Sequence, residues 1–407
     1  MKKVLSLFSG CGGMDLGFEG NFEVPASCIN EKMMPADWYE PSLKEGWVKL
    51  KKTSFSTVFS NDILDYAESA WKTYFSKSGY DVESIFHKNS IVDLVKEHQQ
   101  GNNVFPKDVD VVTGGFPCQD FSVAGNRGGF QSHKNHHNKV IDDIPTEETR
   151  GKLYLWMKNV IEITQPKVFI AENVKGLISL GDVKQIIEND FRNIGDGYLV
   201  VPAKVLMSAD YGVAQRRERI IFIGLSKKHL KAGLQEKIEK NQIDLYPTKT
   251  HSNTPSEQQA PYVKVKDVLI GLTEPENSLD KAQQTYSKAK RLAKGQGQTE
   301  INLEGLGPTI RSEHHGNIEF RRLARENNGQ HIEELELGLP ERRLTVRECA
   351  RIQSFPDDYP FVFAKNEYSK YHLSGSGGYK VIGNAVPPLM AFNIAKHLES
   401  IWGVIFK

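Results

Sequence analysis

Cysteine is scarce in this chain: 407 residues contain four, Cys11, Cys28, Cys118 and Cys349, and no CxxC pair. A disulfide framework and a structural zinc are excluded on that count, so a cysteine that matters would act as a reactive thiol. Long apolar runs are missing too, and no membrane span is expected. The short apolar run near the N-terminus is broken by Ser6, Ser9, Gly10 and Asp15, unlike the core of a signal peptide. A reducing, cytoplasmic compartment is the expectation. Charge of one sign is also lacking. Fifty-two Lys and Arg face 51 Asp and Glu, for a net +1, so any binding of a polyanion must be a local property. There is no internal repeat and no low-complexity block. The chain does have 39% hydrophobic and 25% charged residues, as a soluble globular protein does, and a length that allows two or three domains.

Short β-rich runs alternate with helix-like stretches through the first half, the pattern of a parallel sheet with helical crossovers. Strands are predicted at Val4–Ser9, Thr57–Ser60, Val109–Thr113, Val168–Ala171, Lys204–Met207 and Arg219–Leu225, and helices at Leu64–Phe75 and Leu153–Thr164. An open doubly wound α/β sheet follows, with its ligand at the carboxyl ends of the strands. The character changes after Leu225. Residues 227–298 are polar and lack a succession of apolar strands, which puts a domain boundary near Ser226. Thr345 with Glu348 is a capping-box signature for a helix ending before Pro356. Pro387 and Pro388 lead into an amphipathic helix over Leu389–Trp402, and SGSGG, Ser374 to Gly378, reads as a short flexible connector.

Four clusters could carry chemistry. Phe8, Ser9, Gly10, Cys11, Gly12 and Gly13 follow the first strand, where glycines let the backbone turn sharply and approach a ligand. An acidic residue at the end of the second strand would bind a ribose hydroxyl; Asp62, followed by Ile63, sits at such an end, and Glu31 is its rival. The late arrival of Asp62 implies an insertion within residues 21–56. Cys118, held by Pro117 and preceded by Gly114 and Gly115, lies at a carboxyl strand end and is positioned for attack. Glu172, at the end of another strand, offers a carboxyl group for general acid work, and Arg217 and Arg219 offer guanidiniums for a developing anion. His133, His136 and His137 have no second ligand cluster, so no metal is expected.

In order and content, FSGCGG, GGFPCQDFS, ENVKGL, QRRERIIFIG, RRLTVRECARIQSFPDD and GNAVPPLMA resemble the motifs of the cytosine-C5 DNA methyltransferases of bacterial restriction-modification systems. The resemblance runs from Val4 to Ala391 and leaves Ser226 to Pro340 unmatched. It implies a Rossmann-like fold dependent on S-adenosylmethionine, with S-adenosylhomocysteine as product. Residues 1–225 with 380–407 would form the catalytic domain, and 226–379 a smaller DNA-recognition domain. The glycine turn would hold the cofactor and Asp62, rather than Glu31, its ribose. Ser90 and Ile91 would meet the adenine, with a serine where the family commonly has an aspartate, and Ile63, Pro117, Leu153, Asn384 and Val386 would complete the pocket. Cys118 would attack carbon 6 of a cytosine flipped out of double-stranded DNA, Glu172 would hold ring nitrogen 3, and Arg219 with Arg217 would fix the base.

Gly125, Gly128 and Gly129 would suit a closing lid. Within Lys281–Arg325, nine Lys or Arg stand against four Asp or Glu, a local basic patch, and Gly307 to Asn317 is a polar loop suited to base edges. The resemblance further implies a bacterial or phage-encoded, cytoplasmic, monomeric enzyme with no membrane contact, sharing its DNA site with a cognate restriction endonuclease. An RNA cytosine methyltransferase, a catalytically silent DNA-binding regulator and a nicotinamide-dependent dehydrogenase are the competing readings.

Overall fold

The computed structural model describes residues 1–117, 152–312, 317–365 and 370–407. Cys118, the glycines of the expected lid, His133, His136, His137 and part of the 307–317 loop lie outside the described residues. Eight strands form the main sheet: β1 Lys2–Leu7, β2 Phe55–Asn61, β3 Phe86–His87, β4 Val111–Gly115, β5 Val168–Val174, β6 Tyr198–Val200, β7 Lys204–Met207 and β8 Glu218–Ser226. Their spatial order is β7-β8-β5-β4-β1-β2-β3, with β6 also on β8. The strands from β3 through β5 are parallel. β8 runs antiparallel to β5, β6 and β7. Every strand expected from the sequence is present. The antiparallel edge arises because the β7–β8 connection is too short for a crossover helix.

Alternating apolar residues of each buried strand feed two cores, as a sheet covered on both faces requires. Val4, Val111, Val168 and Ile221 point to one core, while Leu5, Val112, Phe169 and Ile220 point to the other. The main helices are α1 Gly13–Glu19, α2 Asp65–Phe75, α3 Ile91–Gln99, α4 Leu153–Thr164, α5 Val183–Arg192, α6 Val346–Ile352, α7 Gly375–Asn384 and α8 Pro388–Ile405. The first core takes Trp71 of α2 and much of α8, and the second takes the buried faces of α3, α4 and α5. α1 lies against α8 so closely that a Cβ on Gly17 would come within 2.4 Å of Ala391 Cβ. The insertion in residues 21–56 folds as a small antiparallel sheet, Glu23–Pro25, Tyr39–Pro41 and Trp47–Leu50. Phe22 and Trp38 of this region set their rings edge-on against Phe392 of α8.

The capping box forms as expected: Thr345 Oγ1 accepts from Glu348 N at 3.0 Å, and Glu348 accepts from Thr345 N at 2.8 Å. The SGSGG run is not a connector. Ser374 caps α7 by accepting from Gly377 N at 3.2 Å, and the glycines run on into the helix. They are there for proximity: a Cβ on Gly378 would fall 2.5 Å from Phe361 O and 2.9 Å from Val346 Cγ1.

Beyond Ser226 the chain is mostly irregular, with short pairs at His251–Ser252 with Ala260–Pro261 and at Phe320–Arg322 with Arg342–Arg343. The core of the first sheet face continues into this region through Val265, Ile310 and Val346.

Candidate active site

In-register pairing brings four strand ends side by side. Leu7 is opposite Asn61 on one flank and Gly114 on the other, and Gly115 is opposite Glu172. The glycine turn, Asp62, the segment leading to Cys118 and Glu172 therefore share one edge of the sheet, where a doubly wound fold binds its ligand.

The turn is held from below. Phe8, Gly10 and Gly12 have φ of +53°, +56° and +74°, the left-handed region that only glycine adopts without strain. A Cβ on Gly12 would lie 2.7 Å from both Trp71 and Phe75 of α2, so the turn rests directly on two aromatic rings. Gly13 is as close to Val386, whose carbonyl oxygen would lie 2.3 Å from a Cβ there. Beneath the turn, Asp15 is fully buried and accepts from Trp71 Nε1 at 2.7 Å and from the Ser6 and Ser60 hydroxyls. Burial pushes its carboxyl up, and these three donors pull against that shift. The sequence signal for Asp15 was an acidic residue among apolar neighbours in a short helix, shared with Glu19 one turn on, which is buried as well.

Asp62 meets the turn directly. Its carboxylate accepts from Gly10 N at 2.9 Å and Leu64 N at 3.0 Å, which leaves lone pairs for a pair of hydroxyls. Burial raises its pKa. Ile63 follows it on the same connection. Glu31 is exposed on a turn of the insertion. Ser90 caps α3, accepting from Val92 N at 3.3 Å, with Ile91 buried behind it. Asn61 donates to the carbonyls of His87 and Asn89, tying this cap to the end of β2. Leu153 is buried at the first turn of α4, and Asn384 is exposed at the end of α7.

Glu172 is buried, and its Oε1 lies 2.7 Å from Arg219 Nε. Arg219 is opposite Val174 in the antiparallel pair, which makes it a diagonal neighbour of Glu172 on the same face. Burial pushes the Glu172 carboxyl up, against the pull of Arg219 and Arg217. The glycine at 115 makes the room: a Cβ there would stand 2.8 Å from Glu172 Oε2. Asn173, next along β5, donates to Phe116 O at 3.2 Å and so fixes the backbone just ahead of Pro117 and Cys118. The three described cysteines are all buried, and burial pushes the thiols of Cys11 and Cys349 up and that of Cys28 up to about 12.

Arg217 is fully buried, with Nη1 on Ile310 O at 3.1 Å and Nη2 on Gly383 O at 2.9 Å. The basic stretch expected over 281–325 is reduced by internal pairing. Arg322 is held by Glu274 and Glu334, Arg321 by Glu334, and Arg325 by Glu336. Arginine's planar fork suits it to such buried pairing, whereas Lys288, Lys290 and Lys294 keep their charges exposed. The buried Arg343 pins their loop by donating to the carbonyls of Ala289, Lys290 and Gly297. Among the described residues no cluster of His, Cys, Asp or Glu could hold a metal ion.

A parallel sheet with an antiparallel edge, a glycine turn at the first strand and acidic groups at two neighbouring strand ends define a Rossmann-like methyltransferase fold. The solved structures of the Dnmt2 methyltransferase of S. pombe and of the Entamoeba histolytica methyltransferase EhMeth share it. The first covers 98% of this chain and 99% of its own at TM-score 0.53 and 16% identity, and the second 99% of each at 0.55 and 13%. The family is settled by sequence: this chain belongs to the C-5 cytosine-specific DNA methylases, whose profile matches residues 43–400. Similar curated proteins include the Type II methyltransferases M.BsuRI of Bacillus subtilis and M.BspRI of Lysinibacillus sphaericus. Each is 30% identical; the first match covers 98% of this chain and 80% of that protein, the second 97% and 81%.

Proposed function

We propose that this enzyme transfers a methyl group from S-adenosylmethionine to carbon 5 of a cytosine flipped out of duplex DNA, through a transient bond to Cys118. The observation that carries the reading is the pairing of Glu172 with Gly115: a buried carboxyl group, already on Arg219, stands beside the strand end that leads within three residues to Cys118.

Residues fit the cofactor. The turn from Phe8 to Gly13 has no room for side chains at Gly12 and Gly13, and the free lone pairs of Asp62 suit a ribose. Ser90, Ile91 and Leu153 would line the adenine side, and Asn384 and Val386 the far wall. When bound, S-adenosylmethionine supplies the methyl group as an electrophile.

Carbon 5 of cytosine is a weak nucleophile while the ring is aromatic. Addition of the Cys118 thiolate to carbon 6 forms a C–S bond and moves an electron pair towards carbon 5. Glu172, kept protonated to higher pH by burial, holds a proton at ring nitrogen 3, so the electron-rich adduct is stabilised as it forms. Arg219 orients that carboxyl. After carbon 5 takes the methyl group, leaving S-adenosylhomocysteine, water accepts the carbon 5 proton. The electron pair of that C–H bond restores the ring double bond as the C–S bond breaks, so Cys118 leaves as thiolate and the nitrogen 3 proton returns to Glu172. Burial of the other three cysteines, which pushes their thiols up and away from the reactive thiolate form, supports this assignment. A Cys118→Ala protein should incorporate no labelled methyl group into DNA while still binding it, and undiminished incorporation would overturn the mechanism.

Duplex DNA is the substrate favoured by the exposed lysines of residues 288–294, held on a pinned loop. We assign residues 1–225 with 380–407 to catalysis and 226–379 to recognition, in a monomer. Replacing Lys288, Lys290 and Lys294 together by alanine should make the slope of log affinity against log salt shallower by roughly 2 to 3. Titrations at several salt concentrations check this; an unchanged slope would move the phosphate contacts elsewhere. The naming of the relatives as Type II methyltransferases supports a role in restriction-modification, with an endonuclease that cuts the same site. Bisulfite sequencing of DNA from expressing cells would report activity and target together, and duplex DNA should outcompete structured RNA.

A further inference from the structure

Arg217 lies two residues from Arg219 in the same strand-entry segment but faces different partners. One arm of its guanidinium donates to Ile310 O, inside the polar loop expected to read bases, and the other to Gly383 O, in the segment that carries Asn384 and Val386. These two stretches also touch each other: a Cβ on Gly383 would stand 2.1 Å from Arg311 C and 2.2 Å from its carbonyl oxygen. The loop is laced to the same strand entry by backbone bonds. Gly307 N donates to Ala214 O at 2.9 Å, Arg216 N donates to Gly307 O at 2.7 Å, and Thr309 Oγ1 donates to Arg216 O at 2.7 Å. On the other side Gln353, fully buried, donates to Ala385 O at 2.8 Å and accepts from Gln215 Nε2 at 3.1 Å.

From this geometry we infer that Arg217 is a positioning residue that joins the recognition loop to the cofactor pocket, so that binding of DNA and binding of cofactor strengthen each other through it. The inference rests on the proposed function and adds to it. A guanidinium is suited to the task because its planar fork bonds two carbonyls at fixed separation, whereas a lysine ammonium can follow only one as they part. A shift of the Gly383 segment on cofactor binding would be passed to Ile310 without touching the base. Coupling of this kind is reciprocal and amounts to about 5- to 150-fold in typical cases.

The test compares wild type, Arg217→Lys and Gly383→Ala, after wild type has been shown to methylate a duplex carrying its mapped site. DNA affinity is measured with and without S-adenosylhomocysteine, alongside kcat and the KM of each substrate. Wild type should bind that duplex about tenfold or more tightly with S-adenosylhomocysteine present. In Arg217→Lys the ratio should fall to within about twofold of unity, with both KM values raised more than kcat is lowered. Gly383→Ala, which leaves Arg217 in place but drives its new methyl group into the Arg311 backbone, should lose the coupling in the same way. A thermal melt confirms that each variant is folded, and if Arg217→Lys is not, Gly383→Ala decides. A wild-type ratio of one, a retained ratio in Gly383→Ala, or a loss of kcat in Arg217→Lys with the ratio intact would each overturn the proposal. Absence of methylation by wild type would instead remove the proposed function.

Discussion

Glu172→Gln should lower kcat by roughly 10² to 10⁴, the usual worth of a positioned proton donor. The amide keeps the size of the side chain and an acceptor for Arg219 Nε, now 2.7 Å away, but has no proton to transfer. The pH profile should change with it. Burial raises the Glu172 pKa, so in wild type the protonated form persists at higher pH than in an ordinary glutamate, and activity falls as pH rises through that raised pKa. In Glu172→Gln this alkaline fall should vanish, leaving only the rise due to ionisation of the nucleophile. A profile of kcat/KM against pH for both proteins makes the comparison; an identical alkaline limb in the two would separate Glu172 from the acid step.

The largest effect on stability is expected at Glu348. This one side chain closes the capping box on Thr345 and accepts from both arms of Arg342 at 2.9 Å, with both partners buried. Arg342 in turn shares Glu274 with Arg322, which is fully buried as well. Glu348→Ala would open the capping box from one side, taking the acceptor from Thr345 N while the Thr345 hydroxyl still caps the helix, and would leave Arg342 with only part of its negative partner in a desolvated site. Breaking a buried pair from one side costs about 3–5 kcal/mol, and loss of the acceptor for Thr345 N adds about 1 kcal/mol. Urea unfolding should show a lower midpoint at unchanged slope; a loss below about 1 kcal/mol would mean that water reaches Arg342.

The same network sets an acid limit. Burial would raise the Glu274 carboxyl, but the hydrogen bonds and charges of Arg322 and Arg342 outweigh it and hold the pKa at about 2. Its stabilisation is therefore complete above the ordinary glutamate range and disappears as pH falls towards 2.

The central sheet was legible because its strands are buried on both faces and read as unbroken apolar runs between turn residues. The insertion was visible as a delay before Asp62, but its strands were not. Glu23–Pro25 and Tyr39–Pro41 are three residues each, contain proline, and follow Phe22 and Trp38, whose rings pack on Phe392 in a distant helix. SGSGG was misread because glycine spacing cannot tell flexibility from close packing until the neighbours, Phe361 and Val346, are known. Counting charges located the basic stretch but could not separate its arginines, mostly paired internally, from its exposed lysines. At the catalytic end the residue types at strand ends pointed to Glu172 and Asp62. The roles of Gly115 and Asn173 depend on register, which no single segment reveals.

The fit of Gly383 against Arg311 bears on how new specificities could arise in this enzyme. A recognition segment taken from a relative would have to arrive with a backbone that follows the path of 307–311, since Arg311 lies so close to Gly383 that not even a methyl group fits between them, and Gly383 leads into the segment proposed to wall the cofactor. Exchange should therefore succeed when the joints are cut outside that stretch, leaving Gly307 to Arg311 with the recipient, and fail when the graft replaces it. Diversity in the DNA sequences read can accumulate in the lysine-bearing loop and its neighbours, while this short run of backbone stays a common fitting.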